Sequence, residues 1–209
     1  MSLPLLRAEN PAGRLPVLAF AVAGAAFAAQ ATAQLVDFWA FGLRYAVLNG
    51  NSEASAFSWI SAVAICGIVI AFVGLVVAAP ENRKTTTVVA TLFVFLLVDN
   101  RAHLHERLAH GKLLFLPALG LAFALLWSYS GGSSPRHRLL VRGGLAFLAA
   151  SLTVHLAGPT VLKWAGWTSD DWQYQVKVAL KESTEKAGWI LVCFGALADL
   201  ASRRRRTPT

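Results

Sequence analysis

Asp99, His103, His105 and Glu106 fall within eight residues of one another, directly after the apolar run "TTTVVATLFVFLLV" (85–98). Two carboxylates and two imidazoles form a borderline-hard donor set, suited to Zn, Fe or Mn. The same groups, spaced along a helix, can also relay protons. A second acidic stretch, "KESTEKAGW" (181–189), carries Glu182 and Glu185 three residues apart, as neighbours on one helical face. His155 stands alone in the apolar "LAASLTVHLAG". What these residues can do depends on the elements that hold them.

Those elements are membrane spans. The 209-residue chain is 56% hydrophobic and only 14% charged, with a mean hydropathy of +0.54. A soluble domain carries roughly 25% charged residues. Clear apolar spans are expected at 15–36, 56–79, 112–130 and 138–162. Two further apolar segments, 85–98 and 188–202, are too short to cross a ~30 Å core unless they extend. Pro80 and "ENRK" block the first on its N-terminal side, and "RRRR" (203–206) blocks the second on its C-terminal side. Each therefore extends into charge, the first as a helix over 86–109 and the second backward through "KESTEK".

The expected fold is all-α: a polytopic transmembrane bundle of six spans, with both termini cytoplasmic, in the cell membrane. A cytoplasmic segment (1–14) precedes the six-helix domain (15–202), and a basic tail (203–209) follows it. The orientation rests on Arg7, Arg14, Arg83, Lys84, Arg136, Arg138, Arg142 and Arg203 to Arg206, eleven of the 19 basic residues, on the inner side. Trp39, Trp59, Trp164, Trp167 and Trp172 fall on the outer side, as an interfacial belt. The first span has features of a signal peptide, but "LVDFWAFGL" continues it, so it is read as retained. Cys66 and Cys193 lie inside apolar runs and offer no disulfide framework. The basic tail reads as a lipid-facing stop, with no nucleic-acid partner.

On a helix turning about 100° per residue, Asp99, His103, Glu106 and His110 share a stripe about 60° wide. His105 points about 120° away from it. Counted from the inner boundary at about 1.5 Å per residue, Asp99 lies near 20 Å, His103 near 25 Å and Glu106 near 30 Å. His155, Glu185 and Glu182 come to about 25, 24 and 28 Å. Three helices thus bring carboxylates and imidazoles to one layer in the outer third of the bilayer. Carboxylate sites on facing helices are also how di-iron bundles are built, though the Glu-x-x-His signature is absent. Plainer readings exist residue by residue: Glu182 pairs with Lys186 at i, i+4, His155 is a core histidine, and Asp37, Asp170, Asp171 and Asp199 are boundary residues.

The strings "DNRAHLHE" (99–106) and "ESTEKAGW" (182–189) resemble a pattern in uncharacterised bacterial multi-pass membrane proteins. There an Asp-Glu start precedes a His-Glu pair, and a later acidic helix runs into Gly-Trp. Asn100 stands in place of the second acid. The resemblance implies no particular activity, but it raises Asp99, His105, Glu106, Glu182 and Glu185 as a set.

The expectation for function is an integral membrane metal-binding protein. It would act as an enzyme on a lipid or other amphiphile, with Glu106 or Glu182 as general base on a metal-bound water. The metal ligands would come from Asp99, His103, His105, Glu106, His155, Glu182 and Glu185, holding a divalent Zn, Fe or Mn ion. Two alternatives use the same groups: a small proton-coupled transporter, or a structural subunit with the polar layer as interhelical glue. No P-loop, dinucleotide fingerprint or Ser-His-Asp spacing is present.

Overall fold

The computed structural model describes residues 11–49, 52, 55–102 and 111–205, without the side chains of 11–13 and 111–114. Among the described residues the chain is all-helical. The elements are α1 (Pro11–Phe41), α2 (Ser58–Ala78), a 3-10 turn at Pro80–Asn82, α3 (Arg83–Ala102), α4 (Gly111–Gly131), α5 (Pro135–Ala165) and α6 (Trp172–Arg204). Four helical stretches, in α1, α2, α3 with its preceding turn, and α5, are long and apolar enough to cross a membrane. The apolar part of α4, Phe115–Gly131, is shorter. α6 is not among them: its first half carries Lys177, Lys181, Glu182, Glu185 and Lys186, and its other end carries Asp199, Arg203 and Arg204.

The helices run past the expected spans for local reasons. α5 begins at Pro135 because Ser134 caps it, its side chain accepting from the His137 N–H, and proline suits a first helical position. It ends where Gly166 adopts φ 73°, a left-handed cap that a Cβ would oppose. α6 reaches back through "KESTEK", as the span shortfall required, and on to Trp172. Just before it, the Asp171 carboxylate accepts from the N–H and hydroxyl of Thr168 and ties the loop to the helix start. α3 is helical through Asp99 to Ala102. His103, His105, Glu106 and His110 lie outside the described residues.

The last helix is the centre of the bundle. α6 packs against α1, α2 and α5, while α3 and α4 complete the ring between α2 and α5. Residues 186–192 of α6 are buried without a break, as expected for a helix enclosed on all sides. Close approach is set by small residues. A Cβ added at Gly144 of α5 would sit 2.7 Å from the Gly188 carbonyl of α6, and one at Gly67 of α2 would sit 2.5 Å from Cys193 Sγ. Phe72, Phe93, Tyr129 and Trp189 form an aromatic core joining α2, α3, α4 and α6, with neighbouring centroids 5.5 to 6.4 Å apart.

Outward faces are aliphatic: Val17, Val63, Ile70, Val73, Val77, Leu156 and Val161 are all exposed. All five tryptophans of the expected belt are exposed. They belong to the helix ends and loop that the topology gathers at one end of the bundle. Arg83, Lys84, Arg136, Arg138 and Arg203 belong to the opposite end.

Candidate functional site

The most heavily charged part of the interior lies on the central helix. Glu182 Oε1 accepts from Lys181 Nζ at 2.7 Å, and Oε2 accepts from Lys186 Nζ at 2.8 Å. Lys186 is only 2% exposed and Glu182 8%. Both carboxylate oxygens therefore hold an ammonium, in the positions where a metal ion would otherwise sit. Both contacts of Glu182 lie within one helix, one between adjacent residues and the other at i, i+4.

The packing register fixes which groups lie level with this cluster. The Phe93 ring of α3 meets the Trp189 ring of α6 edge-on at 5.9 Å. From that contact, antiparallel helices rising about 1.5 Å per residue bring Asp99 to the level of Ser183. Asp99 is 1% exposed. On α5, Ser151 Oγ donates to the Lys181 carbonyl at 2.8 Å, fixing α5 beside the same turn. On α1, Gln34 Nε2 donates to Gln175 Oε1 at 2.8 Å. One turn away, Gln30 is fully buried, and neither end of its amide has a hydrogen-bond partner. The Ser183 hydroxyl, Asn100 Oδ1 and the Trp189 indole N–H are likewise buried without a partner. Buried polar groups of this kind ordinarily find ordered water or another polar partner.

The expected site residues fare differently. Asp99 and Glu182 are both in the interior, at levels that agree. Glu185 is half-buried and stands outside the Glu182 ion pair. His155 is exposed on α5. By the Ser151–Lys181 register it lies level with Lys177, about one turn nearer the tryptophan end than Lys181. Among the described residues α3 and α5 do not pack directly on each other, and no three His, Cys, Asp or Glu side chains converge as metal ligands. His103, His105 and Glu106 fall outside the described residues.

The family described as a domain of unknown function (DUF8692) matches residues 12–200, nearly the whole helical bundle. The chain belongs to that family. No curated protein and no solved structure matches it.

Two features of this DUF8692 bundle go beyond the residues singled out by sequence. One is the polar stripe Gln30, Gln34 and Asp37 on α1, all buried. Its signal is present in the sequence: spacing i, i+4, i+7 on an otherwise apolar helix, a pattern that faces a partner rather than lipid. The other is a network at the basic end. Tyr129 donates to Asp199 Oδ2 at 2.6 Å, and Arg203 Nε donates to the same oxygen at 3.1 Å. Arg203 also bridges to Glu81. Asp199, read from sequence as a boundary residue, thus joins α4 to α6, and Arg203 extends the link to the turn before α3.

Proposed function

We propose that the chain is a six-span protein of the cell membrane, with both termini cytoplasmic, that works as a small proton-coupled transporter. The observation that carries this reading is the Glu182 carboxylate held between Lys181 and Lys186 on the enclosed central helix. Ionisable groups inside a bundle mark ion and substrate pathways by default. The two ion pairs of this cluster, Glu182 with Lys181 and with Lys186, both lie within α6, so neither ties one helix to another. Around it lie the groups a polar solute would need: Ser183, Asn100 and Gln30 have buried, unsatisfied donors and acceptors, and Asp99 lies level with them. The exposed aliphatic faces and the separation of tryptophan and arginine between the two ends support the membrane placement and orientation.

The test is charge movement. Purified protein in vesicles on a solid-supported membrane, given a pH jump without added solute, should produce a transient current above that of protein-free vesicles. The double variant Glu182→Gln/Lys186→Met should abolish it while remaining folded. A wild-type trace indistinguishable from empty vesicles, or an unchanged trace in the double variant, would sink the proposal.

A metal-dependent enzyme acting on a lipid or amphiphile is the second reading. It is favoured by Asp99, which is buried on a helix still regular at Ala102, one residue before His103. Asp99, His103, His105 and Glu106 would then carry the ligand set without Glu182. Stoichiometric Zn, Fe or Mn in the purified protein, lost on Glu106→Gln, supports it. Metal-free protein with full activity removes it.

A further inference from the structure

At the basic end, Trp127 near the end of α4 and the first turns of α5 flank a shallow, broadly open groove of about 520 Å³. Trp127, Leu139, Gly143 and Ala146 give it apolar walls, and Arg138 and Arg142 stand in it. We propose that this groove binds an anionic phospholipid, its phosphate held by the two guanidinium groups and an acyl chain lying along Leu139 and Ala146.

The arginines are arranged for such a ligand. The Arg142 guanidinium stacks over the Trp127 ring, 4.3 Å from its centroid, while its Nε donates to Ser130 Oγ at 3.2 Å. Arg142 starts about two turns inside α5 and reaches back toward the helix end, as a basic side chain does when it seeks the headgroup layer. Arg138 donates through one terminal nitrogen to the Gly131 and Ser133 carbonyls, at 2.9 and 3.4 Å. That contact alone would make it a cap for the end of α4. A cap uses one nitrogen, however, and Arg138 Nε is buried without a partner. Among the described residues, no carboxylate pairs with either arginine.

Two guanidinium groups whose partners are only carbonyls, a hydroxyl and an indole face leave a net charge of two beside an apolar trough. A phosphodiester supplies the missing anion, with planar donors matched to its oxygens. A zwitterionic choline headgroup would bring its own cation against the arginines. A free phosphate would use the charge but leave Leu139, Ala146 and the trough uncovered. Basic grooves between spans at the membrane edge are suited to acidic headgroups. The inference rests on the membrane placement and is independent of the transport reading.

The test uses the purified full-length chain in detergent micelles, titrated with phosphatidylglycerol or phosphatidylcholine and read by native mass spectrometry. Phosphatidylglycerol should be retained about tenfold more tightly than phosphatidylcholine. Arg138→Gln/Arg142→Gln should erase that preference, and Arg136→Gln, outside the groove, should keep it. Ala146→Trp fills the trough without altering charge, so it should weaken retention even if the arginine variant fails to fold. Equal retention of the two lipids overturns the proposal. So does a folded double variant that keeps the preference, or displacement of the lipid by millimolar inorganic phosphate alone. A missing pH-jump current leaves these outcomes unaffected.

Discussion

Glu182→Gln is the perturbation that most directly probes the interior charge cluster. It removes the one anion between two ammonium groups, and the more buried of these, Lys186, has 2% of its side chain exposed. Breaking a buried pair by deleting one partner costs about 3–5 kcal/mol, because the remaining charge stays desolvated. Polar interactions between spans tend to measure weaker than expected, since the unfolded state within lipid also finds partners. The lower end, about 3 kcal/mol, is therefore the expectation. Lys181, with 23% of its side chain exposed, holds the other oxygen and is less enclosed than Lys186. Lys181→Gln should accordingly cost less than about 1 kcal/mol. Replacing both buried members, in Glu182→Gln/Lys186→Met, removes the charge and its partner together, and should lie within about 1 kcal/mol of the wild type. Unfolding in mixed micelles with increasing SDS gives the four free energies and the coupling between positions 182 and 186. That coupling should reach about 2 kcal/mol or more. A Glu182→Gln protein as stable as the wild type, or a coupling near zero, would refute the reasoning and mean that water reaches Lys186 freely.

Gly143 and Gly144 are adjacent on α5 but should respond oppositely to alanine. A Cβ at Gly144 would lie 2.7 Å from the Gly188 carbonyl and 2.9 Å from the Val192 N–H nitrogen, both backbone atoms of α6, whereas at Gly143 the nearest atom is a Phe20 ring carbon at 3.5 Å. Gly144→Ala should destabilise by about 1–3 kcal/mol through forced separation of α5 and α6, while Gly143→Ala is neutral or stabilising by up to about 1 kcal/mol; equal melting temperatures would contradict the packing register. Tyr129→Phe removes the phenol donor to Asp199 but leaves Arg203 in place, and should lower stability by about 1.5–3 kcal/mol as a lost hydrogen bond to a charged group. An unchanged melting temperature in Tyr129→Phe would show that Arg203 alone satisfies the carboxylate.

Much of the architecture was legible because apolar length is a strong signal. Hydrocarbon thickness dictated that 85–98 and 188–202 could not stand alone, and α3 and α6 do continue into their charged flanks. Helix ends were less legible, since Ser134 with Pro135 and the left-handed Gly166 add turns that hydropathy does not register. The position of α6 at the centre could not be read from composition, because its charged first half looks like a surface helix. What places it inside is an inventory of small residues, Gly144 against Gly188 and Gly67 against Cys193, whose partners lie far apart in sequence. The site was legible in part for the same reason. Depth counted along a helix set Asp99 about 8 Å below Glu182, whereas the Phe93–Trp189 contact brings Asp99 level with Ser183. Azimuth depends on which helices are neighbours: His155 has the depth of an interior residue yet faces outward, while Lys186, read only as a partner for Glu182, is almost completely enclosed. A buried lysine on a central helix changes the chemistry of the carboxylate beside it, from a ligand seeking a cation to one that already has two. The i, i+4, i+7 spacing of Gln30, Gln34 and Asp37 on α1 was the readable sign that this interior is polar beyond its charges, since all three side chains turn inward and are buried.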